Sequence, residues 1–557
     1  MLSRKPGAKR RKLATERLKR IIQEFHLAPP GFWSNAPMKS SSNHDWSPIR
    51  AAERPVERFS HHARYRLALA YANSYHVAMS SLGFQRVYEV IHRRPEWACE
   101  RFFTDGVGMP ISVESGRALN DFGCIAFSVS FEEDYVNLLQ MLDRARIPLR
   151  RGDRGPWDPV IVMGGSCASI NPLPMSEFVD VFAIGAAENV LPELLAALEG
   201  EEGREAAIER LASRDGFYVP AFHHPEEEGE LPKLNKLELT EEQMKQPGFL
   251  PTTAIVTPHT EFSEKFLIEM SRGCPEKCRY CWATFGMGRF RWHPTEYILA
   301  SLERARPVTN QLGFVATAVG DHPDIEKILR EANQLGFRTS VSSIRIPAVT
   351  EGVLEALHAS GDRSITLAPE TGTDELRVKM GKPIPNSFLL EKVRRIFRHG
   401  FTSLKLYFIV GLPGETMADV QGILDLANQA RAIMLEELPK QGLIGNIHLG
   451  VNVLVPKPYT PWQREPMDEE KSLKEKLALL RKAVTRMPNV SMGSVSVRQA
   501  IWQTYISKAG SDAAEAIEAA ARGESVSSLL HRLAPKIHPE VYRRQEGDLR
   551  WHFMRQA

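Results

Sequence analysis

A chain of 557 residues with 43% hydrophobic and 25% charged content has the length for roughly two to four globular domains and the apolar content to bury large cores. A net charge of +3 gives no overall polyanion-binding signal, and no run of eighteen apolar residues marks a membrane span. Six cysteines, three of them clustered, argue against a disulfide scaffold, and the basic start is not followed by an apolar secretory core, so the expected location is the cytoplasm, with no membrane contact.

Residues 1–62 read as a basic tail and linker. Residues 1–20 are dense in Lys and Arg, with Glu16 as the single acid. That run would suit a nucleic acid or an acidic partner. A solvated tail leading into a short amphipathic helix near Leu13–Phe25 is the plainer reading. Pro- and Ser-rich sequence then runs through APPGFWSNAPMKSSSNHDWSP.

Residues 63–215 change character. Apolar runs at 64–71, 124–130, 159–165 and 179–185 alternate with helical patterns at 83–92, 132–145 and 188–198. Short apolar strands separated by helices predict a Rossmann-like α/β domain with a parallel sheet. Residues 216–262 form a linker that includes EEEGE at 226–230.

A second α/β series covers 263–465. Its six predicted strands are 266–270, 313–318, 338–343, 363–368, 402–410 and 448–455. Six such units suit an open (β/α)6 barrel, whose chemistry would collect at the C-terminal ends of the strands. Residues 466–557 read as a helical, basic extension. Overall the expected class is α/β.

The second series opens with SRGCPEKCRYCWATFG, which puts Cys274, Cys278 and Cys281 directly after its first strand. No cysteine follows position 281. A structural zinc site wants four ligands, usually as two pairs. Three thiolates on one loop would hold three irons of a [4Fe–4S] cubane and leave the fourth open. A small zinc loop or three unrelated thiols are the alternatives.

The spacing C-x-x-x-C-x-x-C, with an aromatic residue (Tyr280) before the last cysteine, resembles the radical S-adenosylmethionine (SAM) superfamily. The resemblance covers about residues 63–465 and includes LAPETGT (367–373) and GLPGET (411–416). It implies that SAM chelates the open iron, that one electron breaks its sulfonium bond, and that a donor such as flavodoxin or ferredoxin supplies that electron. It also implies places for the rest of SAM. Gly320 and Asp321, at the end of the second strand, would meet the methionyl ammonium, although the family's usual Gly-Gly-Glu is absent. Glu370, at the end of the fourth, would take the ribose hydroxyls, since a carboxylate accepts two hydrogen bonds at once. Ion pairing of Glu370 with Arg377 or Lys379 is the competing reading. Ser343 and Arg345, at the third strand end, would serve SAM or substrate. Val453 and Val455 would pack on adenine, and GLPGET would serve backbone geometry.

The N-terminal domain looks like the B12-binding-like domain of an uncharacterised radical SAM subgroup. There Gly164 and Gly165, after a strand, would let a corrin tail approach the backbone. The Asp-x-His-x-x-Gly motif is absent, and His76 stands in a different context, so cobalamin would bind without a histidine ligand or not at all. Methylthiotransferases carry a second cluster on three N-terminal cysteines. Here Cys99, Cys124 and Cys167 are the only others, and Cys124 lies in an apolar strand, where a thiol acts as a small hydrophobe. The expected function is radical chemistry on an unknown substrate, with cobalamin-dependent methyl transfer as one form. The alternatives are a methylthiotransferase-like enzyme and a non-catalytic cluster and SAM carrier or chaperone.

Overall fold

The computed structural model describes residues 44–200, 203–225 and 233–556. The basic run at 1–20, the helix expected near Leu13–Phe25 and the acidic EEEGE lie outside the described residues.

The N-terminal sheet contains β1 (Tyr65–Tyr71), β2 (Trp97–Phe102), β3 (Cys124–Ser128), β4 (Val160–Gly164), β5 (Val181–Ala183) and β6 (Phe217–Tyr218). Their order is β2-β1-β3-β4-β5-β6, parallel except for β6. Both faces are buried, which is why β3 and β4 are continuous apolar runs. Leu67, Leu69, Cys124 and Val162 pack on one face, and Ala68, Ala70, Phe127 and Met163 on the other. The chain reverses its winding between β1 and β3. In open α/β sheets, ligands bind at the carboxyl ends beside such a reversal.

The sequence reading does not anticipate β2, because WACERF carries Glu100 and Arg101 in its middle. The structure buries both and compensates both. Arg101 donates to Glu53 (2.8 and 2.9 Å) and Glu114 (2.6 Å), while Glu100 pairs with Arg66 (2.7 Å) and accepts from Ser112 (2.7 Å).

The second unit opens with β7 (Phe266–Glu269), β8 (Gln311–Val315) and β9 (Arg338–Val341), and continues with β10 (Ser364–Glu370), β11 (Ser403–Val410) and β12 (Asn446–Val453). All six expected strands are present. A seventh, β13 (Val490–Ser494), adds parallel to β12 from within the segment read as wholly helical. The strands form a three-stranded and a four-stranded parallel sheet, joined where Ile344 N–H donates to the Thr366 carbonyl (3.3 Å). Helices cover the outer face, and one core runs through them.

That core continues into the C-terminal helices Val497–Lys508 and Ala514–Ala521, which pack back across the N-terminal domain. Arg150 pairs with Glu518 (2.8 Å), and Asn171 donates to the Ala509 carbonyl (2.8 Å). The last strand, Met554–Arg555, pairs with Leu234–Asn235. Among the described residues no helix is long and apolar enough to cross a membrane.

Arg101→Met would strand the Glu53 and Glu114 carboxylates in a dry site. Loss of one partner of a buried pair removes about 3–5 kcal/mol, so urea denaturation should show a fall of that size. A change within experimental error would mean that water reaches these groups.

Candidate functional site

The cysteine loop is a pinched excursion from the end of β7. At its base Ser271–Arg272 pairs antiparallel with Arg291–Trp292. Gly273 then takes a left-handed conformation (φ +74°), and a Cβ there would stand 2.7 Å from the Gly288 carbonyl oxygen. Only glycine fits such a neck. Cys281 caps the short helix Trp282–Gly286, while Cys278 is 7% exposed. The loop is pinned from outside by the turn after the helix Asp374–Lys379. Arg279 N–H donates to the Met380 carbonyl (2.9 Å), and a Cβ on Gly381 (φ +83°) would lie 2.6 Å from the Lys277 carbonyl oxygen. Trp462 N–H donates to the Arg279 carbonyl (3.2 Å), and Trp462 packs with Leu376, Met380, Leu412 and Leu454 in a small apolar cluster that Tyr280 joins.

Burial shifts two of the thiols in the same direction. Burial pushes the Cys278 thiol up to about 12, against the opposing pull of Lys382 and with a further push from Cys281 and Cys274. Burial also raises Cys281, partly offset by the amides of Ala283 and Thr284. Such thiols are poor thiolates until a cation arrives. Among the described residues no three His, Cys, Asp or Glu side chains converge on a point where they would hold one ion. A cubane asks for less convergence, because each thiolate binds a different iron. The donor set therefore fits a [4Fe–4S] cluster with one iron left open.

Opposite the loop, β10 ends in an irregularity. Leu367 pairs with Leu406 and Glu370 with Phe408, so β10 spends an extra residue there. A bulge re-aims a side chain. Glu370 adopts φ +70° and is 7% exposed. Its Oε1 accepts from Tyr280 Oη (2.7 Å) and Lys382 Nζ (2.9 Å), whereas Oε2 has no protein partner among the described residues. Neither expected competitor engages it. Arg377 is consumed by the Pro369 and Thr371 carbonyls and Asp374, and Lys379 lies against Gly414.

The second and third strand ends meet through Arg345, which contacts both Asp321 and Glu276 of the cysteine loop. Asp321 Oδ2 is buried without a partner, and burial raises its carboxyl despite Arg345. Ser343, just after the end of β9, is exposed. A Cβ on Gly320 would stand 2.6 Å from Ala348 Cβ, so packing within the fold already demands that glycine.

Two family models match the chain. Residues 83–220 match one described as radical SAM proteins, N-terminal, and residues 268–427 match that of the radical SAM superfamily. This is a radical SAM protein. It is 25% identical over 376 residues to an uncharacterised protein of Methanocaldococcus jannaschii, covering 67% of this chain and 75% of the other. Over 178 residues it is 25% identical to the ribosomal protein uS12 methylthiotransferase RimO of Pseudothermotoga lettingae, covering 29% of this chain and 41% of that one. Among solved structures it is similar to the cobalamin-dependent SAM radical enzyme OxsB with aqua-cobalamin and SAM bound (TM-score 0.42, 13% identity), covering 65% of this chain and 51% of that one. The radical SAM protein thus spans about half the length of that structure.

The remaining expected residues of this radical SAM protein are dispersed. Gly165 (φ +98°) is glycine because a Cβ would lie 2.5 Å from the Val129 carbonyl oxygen, whereas the nearest atoms to a Cβ on Gly164 are at 3.9 Å. His76 is half exposed and faces Glu261 (3.4 Å). Cys99 and Cys124 are buried in the core on one face of the N-terminal sheet, and Cys167 in the core on the other. Val453 faces the helix layer, which leaves Asn452 facing inward at that level. In GLPGET, Glu415 accepts from Gly411 N–H (2.7 Å) and from Lys476 (2.7 Å), a strand-to-helix turn held by its own carboxylate. Lys382 escaped the sequence reading. It lies in MGKP, with nothing local to mark it, and only the Gly381 turn brings it to Glu370.

Gly381→Val should push the turn off the cysteine loop. The expected outcome is a folded protein, by circular dichroism, that retains little iron after anaerobic reconstitution. Full iron loading would show that the loop holds its shape unaided.

Proposed function

We propose that this protein is an enzyme that uses SAM at a [4Fe–4S] cluster to start radical chemistry on a substrate. When bound, the two groups supply one-electron reductive cleavage of SAM and a carbon-centred radical. Cys274, Cys278 and Cys281 would hold three irons. Glu370 would offer its unengaged Oε2 to the ribose, with Oε1 fixed by Tyr280 and Lys382. Asp321, with its unpartnered Oδ2, would sit beside the methionyl ammonium along the Gly320 turn, with Ser343 just after the neighbouring strand. The apolar group around Trp462 and Leu454 would keep water from the loop. The single observation that carries this reading is the Tyr280–Glu370 hydrogen bond, which couples the residue between two cysteines to the carboxylate at the β10 end. An open iron calls for a reducing compartment such as the cytoplasm and for a low-potential electron donor.

A second reading concerns cobalamin. It is favoured by the winding reversal of the N-terminal sheet and by Gly164 at a strand end, where a Cβ would make only ordinary contact with Ala183 at 3.9 Å. His76 is turned to Glu261 (3.4 Å), so it is not the imidazole that would meet cobalt. Methylthiolation through a second cluster has less support, because the N-terminal cysteines lie in two separate cores.

Reconstituted protein should hold one cluster, lost on changing Cys274, Cys278 and Cys281 to Ala, and should convert SAM to 5′-deoxyadenosine under dithionite. A cluster-loaded protein that binds SAM without cleaving it would instead be a carrier. Glu370→Gln should weaken SAM binding by about 1–3 kcal/mol, the scale of a charged hydrogen bond, with the cluster absorbance intact. Unchanged affinity would move the ribose contact elsewhere. Equilibrium dialysis with hydroxocobalamin tests the second reading. Retention should survive His76→Ala and vanish in Gly164→Val, and no retention by the unaltered protein would end that reading.

A further inference from the structure

The inner face of the half barrel is wet. On β11, Leu404, Leu406, Phe408 and Val410 are fully buried against the helix layer. Successive strand residues point to opposite faces, so Ser403, Lys405, Tyr407 and Ile409 point inward. On β12 the same argument turns Asn446, His448, Gly450 and Asn452 inward. In a closed barrel these positions would be packed in layers. Here Tyr407 is 41% exposed, and Asn446 and Asn452 are exposed as well.

The register stacks these residues in rows. Ser364, Ser403 and Asn446 form the lowest, Thr366, Lys405, His448 and Ser491 the next, and Tyr407, Gly450 and Gly493 the one above. Ile409 and Asn452 lie at the rim. The two glycines clear the space: a Cβ at Gly450 would strike the Tyr407 ring, and one at Gly493 would stand 3.4 Å from His448 Nε2.

Charge is the second observation. The carboxylates on the inner face are already spoken for. Glu269 is paired with Arg272 (2.6 Å) and Glu370 with Lys382 (2.9 Å). Lys405 has neither an ion pair nor a side-chain hydrogen bond among the described residues. His448 Nδ1 meets Ser491 Oγ (3.0 Å), which leaves Nε2 facing the space above Gly493. Burial and Lys405 both lower the His448 pKa, so at neutral pH it is a neutral donor or acceptor beside a fixed cation.

We propose that the half-barrel interior is a substrate pocket that selects an anionic group, carboxylate or phosphate, which sits on Lys405 with His448 and Ser491 alongside. This rests on the radical SAM reading above and adds the substrate's chemical class. At ~3.3 Å per residue, Lys405 lies about 13 Å below the rim at Ile409. The substrate is therefore elongated, with its anionic end one row above the base, its body along the Tyr407 ring and its reacting carbon near Asn452 at the mouth.

The test uses the full chain, cluster-loaded and with SAM, and two probes, adipate and pyrophosphate, at matched ionic strength. Lysine acetylation by acetic anhydride is followed at each site by peptide mass spectrometry. At least one probe should slow labelling of Lys405 and leave surface Lys474 unchanged, and neutral adipamide should do neither. Preference for adipate assigns a carboxylate, and preference for pyrophosphate a phosphate. Calorimetry should show that Lys405→Met weakens the preferred probe at least tenfold, with cluster absorbance and SAM affinity retained. The pocket is overturned if neither anion protects Lys405, or if binding survives Lys405→Met. Iron content and SAM binding, measured on the same samples, separate the two ideas. An intact, SAM-bound protein without protection removes only the pocket, whereas a protein that assembles no cluster removes the radical SAM reading itself.

Discussion

Arg272 sits where the N-terminal domain meets the base of the cysteine loop, and the site depends on how its charge is neutralised. It donates to Glu269 of β7 (2.6 Å) and to Glu188 of the helix Ala187–Leu198 (3.2 Å). Glu188 also receives Arg86 (2.9 Å), which in turn holds Glu89 (2.8 Å). Burial pushes the Glu269 carboxyl up, yet Arg272 and His293 hold it down at about 2. Arg86, Glu89 and Glu188 are buried, and Glu269 and Arg272 are mostly covered; a buried charge without its partner is unfavourable by several kcal/mol. The network therefore forms only when the N-terminal helix, β7 and the loop base are all in place. A loop with a glycine neck has no rigidity of its own, so this docking supplies it.

The same logic extends to the other side of the molecule. Glu132, buried just after β3, meets Lys457 from the segment after β12 and accepts from Gln503 of the C-terminal helix (3.0 Å). One carboxylate thus ties the carboxyl edge of the N-terminal sheet to the mouth of the barrel and to the C-terminal extension. The extension is best seen as a strap. It leaves the barrel as β13, crosses the N-terminal domain through helices and ends as a strand against Leu234–Asn235.

What the sequence made legible was local chemistry. The cysteine spacing, the six barrel strands and the turn role of GLPGET all rest on patterns a few residues long. What it hid was decided by distant residues. WACERF looked too charged for a strand because Glu53, Glu114 and Arg66, which neutralise it, come from elsewhere in the chain. VSMGS at β13 is short and half polar, so it became recognisable only beside β12. Gly165 looked like a cofactor glycine, but the atom that excludes a side chain there is the Val129 carbonyl. Lys382 had no signal at all, because its meaning comes from Glu370 twelve residues upstream and a bulge that no propensity reports.

One further signal was present and lay unread. Parallel sheets are ordinarily covered on both faces, and their strands read as unbroken apolar runs. CIAFS and VIVMG in the N-terminal sheet obey that rule. SLKLYFIV and NIHLGVNV do not: they alternate, as strands do when one face meets water. In a parallel (β/α) unit whose outer face is covered by helices, the wet face has to be the inner one. The alternation is strongest in β11 and β12 and absent from β7, where Phe266, Leu267 and Ile268 are all buried. The two halves of the barrel are thus built differently. The first, packed against the linker and the N-terminal domain, fixes the cysteine loop, and the second keeps an open polar wall facing it.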